Sequence, residues 1–148
     1  MKNITRRLAV VACAALLAAC ASGPKHAEVQ SSIPALKATE GRLYVYRSSS
    51  MLGAAIQPNV VNGKVAGESK PGGFFFVDLP AGTVEVSTST EVEKKLTLTL
   101  DAGQTRYVRT TIGFGLMVGR VYPELVDNAQ GAKEIAETSY IGKPLPKP

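Results

Sequence analysis

Thr83-Val84-Glu85-Val86-Ser87, followed closely by Lys95-Leu96-Thr97-Leu98-Thr99-Leu100, decides the fold. Apolar and polar residues alternate strictly in both runs, so one side of each is built for a core and the other for water. Half-wet strands of this kind belong to antiparallel sheets. Pro80-Ala81-Gly82 precedes the pair and Asp101-Ala102-Gly103 follows it, both of them turns.

The same pattern extends in both directions. Upstream, Gly41 opens a run in which Leu43 and Val45 alternate with Tyr44 and Tyr46, apolar on both sides, as a central strand requires. Val60-Val61-Asn62-Gly63-Lys64-Val65 places Asn-Gly between strands, where a tight hairpin demands positive φ. Phe74 to Leu79 is a dense run closed by Pro80. Downstream, Gln104 to Ile112 supplies a strand with Val108 and Ile112 inward. Arg120 to Val126 supplies another, confined to an edge or bulge by Pro123. Asp127 is placed to cap a short helix, with Gln130 three residues on and Ala132, Ile135 and Ala136 as its apolar side. Gly131 weakens that helix by about 1 kcal/mol relative to alanine, and Gly142 closes it. The expected fold is mainly β, an antiparallel β-sandwich of about seven to eight strands with a short C-terminal helix.

The N-terminus is different in kind. Lys2, Arg6 and Arg7 precede an apolar run from Leu8 to Ala19, which closes in Leu17-Ala18-Ala19-Cys20. A basic, then apolar, then small-residue order is a secretion signal. Its apolar run, about 18 Å as a helix, is too short for a hydrocarbon core of about 30 Å. Leu-Ala-Ala-Cys resembles the lipobox of bacterial lipoproteins. That resemblance implies peptidase recognition of Leu17, Ala18 and Ala19 and lipidation of Cys20. Ala21, where an aspartate would mark retention at the inner membrane, implies an outer-membrane, lipid-anchored protein that faces the periplasm. The chain then divides into a signal peptide (1–19), a lipidated start with a flexible tether (20–40), a β-domain with its helix (41–140) and a disordered Pro-rich tail (141–148). A coil of the tether's length spans roughly 25 Å, and His26 on it reads as a solvated linker residue.

Charge and cysteines narrow the function. The 148 residues carry 17 basic and 12 acidic side chains, a net of +5. Removing Lys2, Arg6 and Arg7 from the 17 leaves 14 against 12, or +2, too little to argue for nucleic acid. Cys13 leaves with the signal and Cys20 is consumed by lipid, so the mature chain forms no internal disulfide. One histidine and no free thiol leave no Cys/His zinc site and no thiolate nucleophile. No serine has a histidine partner, and no spacing singles out a carboxylate pair among Asp78, Glu85, Glu91 and Glu93. No enzyme, cofactor or metal is expected.

Two apolar loops and one mixed face remain. Ile112-Gly113-Phe114-Gly115-Leu116-Met117-Val118-Gly119 has glycines but lacks the Lys-Ser or Lys-Thr and the following helix of a phosphate loop. Phe114, Leu116 and Met117 either touch a partner, lipid or ligand, or cap the sandwich core; Met51 and Leu52 carry the same two readings. If both loops share one end they form an apolar patch, and such patches mark contacts. Tyr44, Tyr46, Tyr107, Arg42, Arg47, Arg106 and Arg109 lie on expected strands. Such residues bind glycan or anionic polymer by stacking and charged hydrogen bonds. The plainer reading is a solvated sheet face whose arginines pair with Glu85 or Glu93.

Taken in order, Gly41-Arg42-Leu43-Tyr44-Val45-Tyr46-Arg47, Gly73-Phe74-Phe75-Phe76-Val77, Leu79-Pro80-Ala81-Gly82, Asp101 to Arg109 and Glu124-Leu125-Val126-Asp127 resemble a family of small bacterial lipoproteins known only as a domain of unknown function. PEGA-type and carboxypeptidase-regulatory-type β-domains share the Leu-Pro-Ala-Gly turn. The resemblance implies an antiparallel β-domain with a terminal helix and carries over no catalytic residue. The expectation is a non-catalytic envelope lipoprotein that binds or scaffolds an envelope protein or peptidoglycan. The alternative is a periplasmic domain that captures a small hydrophobic or glycan ligand; a minor hydrolase is the third reading.

Overall fold

A computed structural model of the chain describes residues 21–49, 57–90, 92–113 and 120–146. Leu17, Ala18, Ala19 and Cys20 lie outside these residues, as do Met51, Leu52, Phe114, Leu116 and Met117. Among the described residues there are nine strands: β1 (Glu40–Tyr46), β2 (Gln57–Val61), β3 (Lys64–Ser69), β4 (Gly73–Pro80), β5 (Gly82–Ser89), β6 (Glu93–Leu100), β7 (Thr105–Gly113), β8 (Arg120–Val126) and β9 (Ser139–Tyr140). Two helices join them, α1 (His26–Val29), continued by a 3-10 turn to Ser32, and α2 (Asn128–Ala136).

The strands form a sandwich of two sheets, ordered β8-β7-β1-β4-β9 and β3-β2-β5-β6. The alternating runs behave as their pattern dictates: β5 and β6 pair antiparallel over their whole length, with Val84, Val86, Leu98 and Leu100 buried. Leu43, Val45, Phe75 and Val108 of the first sheet meet them in one apolar cluster. Each such fully buried side chain contributes roughly 1.5–3 kcal/mol. Asn62 and Gly63 take φ of 47° and 76°, closing the β2–β3 hairpin as the Asn-Gly step requires. Pro123 sits on β8, an outer strand, where its missing N–H costs no ladder bond.

Four features depart from the sequence expectation. The first sheet is mixed, because β1 runs parallel to β7 and β4 parallel to β9. Residues 21–40 are not a free tether: the Ala21 amide donates to the Pro71 carbonyl at 2.9 Å, and the Tyr140 amide to the Pro24 carbonyl at 2.8 Å. Val29 is buried, with Ile33 packed beside it. The tail is likewise held as far as residue 146, since Ile141 donates to Phe74 O and Leu145 packs against the same cluster. Finally, Asp127 does cap α2, its carboxylate accepting from the Gln130 amide at 3.0 Å, but the helix ends at Ala136. Gly131 and Ile135 form its buried side while Ala132 and Ala136 face water.

Candidate functional site

The outer face of the first sheet, expected to be wet, carries an aromatic layer. Alternation puts Tyr44, Tyr46, Phe74, Phe76 and Tyr107 on the side away from the sandwich core, where α1, α2 and Tyr140 cover them. The strands are therefore apolar on both sides because both sides are buried. Gly131 lets α2 approach: a Cβ there would meet the Tyr107 ring, 2.8 Å from Cδ2.

A polar clamp fixes the helix. Glu134 accepts from Tyr46 Oη at 2.6 Å, from Gln130 Nε2 at 2.8 Å and from Arg109 Nη1 at 2.9 Å. Arg109 also donates to Glu124 at 2.9 Å. Burial pushes the Glu134 carboxyl up, but these donors outweigh it and hold it below the usual range. Burial and the hydrogen bond to Glu134 together push the Tyr46 phenol well up.

Beside the clamp, between α1, the start of α2 and the lower halves of β1 and β7, lies a depression of about 440 Å³. His26, Arg42, Tyr44, Thr105, Tyr107 and Asn128 are among its walls. Tyr44 and Tyr107 are stacked, 5.3 Å apart and 10° from parallel. Arg42 forks onto Asp78 at 2.7 and 2.8 Å, donates to the Pro34 carbonyl at 2.7 Å, and lies 4.7 Å over the Phe76 ring. The hydrogen bonds to Asp78 raise its pKa further. Aromatic surface beside amide, hydroxyl and guanidinium groups suits a polar ring-bearing ligand.

His26 is no solvated linker residue. Its ring stands edge-on to Tyr44 and Phe74 at 6.0 and 5.5 Å. Burial lowers its pKa from 6.5, so the folded chain disfavours the charged form. Its contribution is complete above about pH 6.5 and is lost as pH falls from there toward the folded pKa. The urea midpoint should therefore drop on acidification, and His26→Phe should show a smaller drop, measured side by side.

The arginines expected to share one face are dispersed. Arg42 and Arg109 pair with Asp78, Glu124 and Glu134; Lys95, on the other sheet, takes Glu85 and Glu93 at 3.1 and 3.8 Å. Arg47 is buried at the opposite end of β1, donating to Ser69 O at 3.3 Å. Asn59, Ser69, Thr88 and Thr110 are buried too, with Ser69 and Thr110 hydroxyls 2.8 Å apart. His26, Thr105, Asn128 and Glu134 were not legible as site residues, because nothing in the sequence brings residues 26 and 128 onto one sheet face.

The described strands also settle where the two apolar connections start. Because β1 and β7 are parallel neighbours, the chain leaves both at the same end of the first sheet. No group of three or more potential metal-ligating side chains occurs among the described residues.

Residues 37–121, more than half of the chain, match the family described as "Protein of unknown function (DUF2846)". The chain belongs to the DUF2846 family. The matched span runs from the approach to β1 into the start of β8, and so covers most of both sheets. A Haemophilus influenzae protein, described as uncharacterized, is 32% identical over 145 residues, spanning 93% of this chain and 84% of its own length. That similarity extends beyond the DUF2846 span to the flanks that cover the aromatic layer. No solved structure matches.

Proposed function

We propose that this DUF2846 member is a non-catalytic lipoprotein of the bacterial outer membrane, anchored through Cys20, whose β-domain binds another envelope component. Leu17-Ala18-Ala19-Cys20 at the end of a basic-then-apolar leader carries the reading. A single acyl chain holds a protein to a membrane only marginally, so stable attachment rests on the two or three chains that a lipoprotein cysteine bears. Cells fed labelled palmitate should yield labelled, membrane-bound wild-type protein. Cys20→Ala should lose the label and either keep its leader or leave the membrane. Unlabelled wild-type protein with a free thiol at residue 20 refutes the anchor.

The depression favours glycan as the bound component over an apolar molecule. Tyr107, stacked on the buried Tyr44, presents part of its ring there, and Thr105 and Asn128 supply polar groups beside it. Titrating the solubilised mature protein with peptidoglycan-derived saccharides should shift the amide resonances of Thr105, Tyr107 and Asn128. Asn128→Ala should weaken the binding several-fold. Shifts that are absent, or scattered over both sheets, exclude this depression as the glycan site.

A further inference from the structure

We infer that the domain has no slack between itself and the bilayer, so that the end of the sandwich carrying Pro71, Gly72 and Ser49 lies against the lipid surface; this rests on the anchor proposed above.

The inference follows from where residue 21 is pinned. Its amide bonds the carbonyl of Pro71, in the turn between β3 and β4, and its methyl lies against Gly73. Consecutive Cα atoms are about 3.8 Å apart, so Cys20 starts within one residue's reach of this turn. The acyl chains enter the bilayer from that point.

From Ala21 the chain runs down the outer face. Pro24 and Lys25 pair with Tyr140 and Ser139, His26 and Val29 sit on the aromatic layer, and Pro34 is held by Arg42. It reaches the far end only at Glu40, where β1 begins. The residues that would have made a spacer are spent crossing the domain. Ser49, which lies 3.7 Å from the position a Gly72 Cβ would take, shares the anchored end. Asp101 marks the opposite end, its carbonyl 2.6 Å from a Cβ built on Gly41. An antiparallel strand of the length of β4 separates the two by about 26 Å. The depression at Arg42, Thr105 and Asn128 lies toward the far end and so sits away from the membrane.

The mature lipoprotein offers no other thiol, so Ser49→Cys and Asp101→Cys can each be labelled with a fluorophore. Each is then reconstituted into vesicles that contain nitroxide-headgroup lipid, with the intact mass of the anchor checked first. The label at residue 49 should be quenched several-fold more than that at residue 101. Gly23→Val, whose side chain would strike the Tyr140 carbonyl, should shrink the difference. Equal quenching at both positions, in protein whose mass includes the diacylglyceryl group, overturns the inference and leaves the anchor standing. A mass without lipid overturns both.

Discussion

Glu134→Ala should cost about 2–4 kcal/mol of folding free energy, read as a shift in urea midpoint at constant slope. The substitution removes the acceptor of the hydroxyl of Tyr46, a residue only 2% exposed, which sits 2.6 Å from the carboxylate. A buried hydroxyl left without a partner accounts for about 1–3 kcal/mol. Arg109 loses one of its two carboxylates as well, keeping Glu124 on the exposed side. Glu134→Gln preserves an acceptor for Tyr46 and should cost less than half as much. If alanine and glutamine behave alike and both losses stay below about 0.5 kcal/mol, the range of ordinary surface substitutions, the clamp does not hold α2.

Gly131→Ala should destabilise the protein although it improves the helix. In an exposed helix this change gains about 1 kcal/mol. Here the added Cβ would fall 2.5 Å from Tyr107 Cβ and 2.8 Å from Cδ2. Overpacking of this kind typically costs about 1–3 kcal/mol, leaving a net loss of up to about 2 kcal/mol after the propensity gain. Combining it with Tyr107→Ala should recover part of that loss in a double-mutant cycle. A stabilised Gly131→Ala single variant would show that α2 rides clear of the sheet.

How much could be read from the chain depends on where each instruction is written. β5 and β6 declared themselves because one side of each meets water, and the contrast within a few residues is the signal. The β2–β3 turn was equally plain, since positive φ at two successive positions selects Asn-Gly. Tyr44 and Tyr46 marked β1 as central, yet their burial requires a cover that the polar, proline-bearing stretch before Glu40 does not advertise. That cover is held by backbone groups, Ala21 N, Pro24 O and Ile141 N among them, and almost any side chain can stand at such positions. The parallel pairing of β1 with β7 was hidden for a related reason. It joins residues about sixty positions apart, and no local pattern encodes a partner so distant. Gly131 was readable as a flaw in a helix; only the Tyr107 ring beneath it gives the glycine its purpose.

The candidate site follows the same division. Its floor, Tyr44 and Tyr107, was within reach of sequence reasoning as aromatics on neighbouring strands. Its walls, His26 and Asn128, come from opposite ends of the chain.

That meeting of opposite ends sets an order of events. Lys25 Nζ bonds the Glu137 carbonyl across 112 positions of sequence, and loops that long close late and slowly. Because the chain is made front end first, Ser139 and Tyr140, which receive Pro24 and Lys25, are among the last residues to appear. The stretch from Ala21 to Pro34 therefore gains its place on the sheet last, when that final strand arrives.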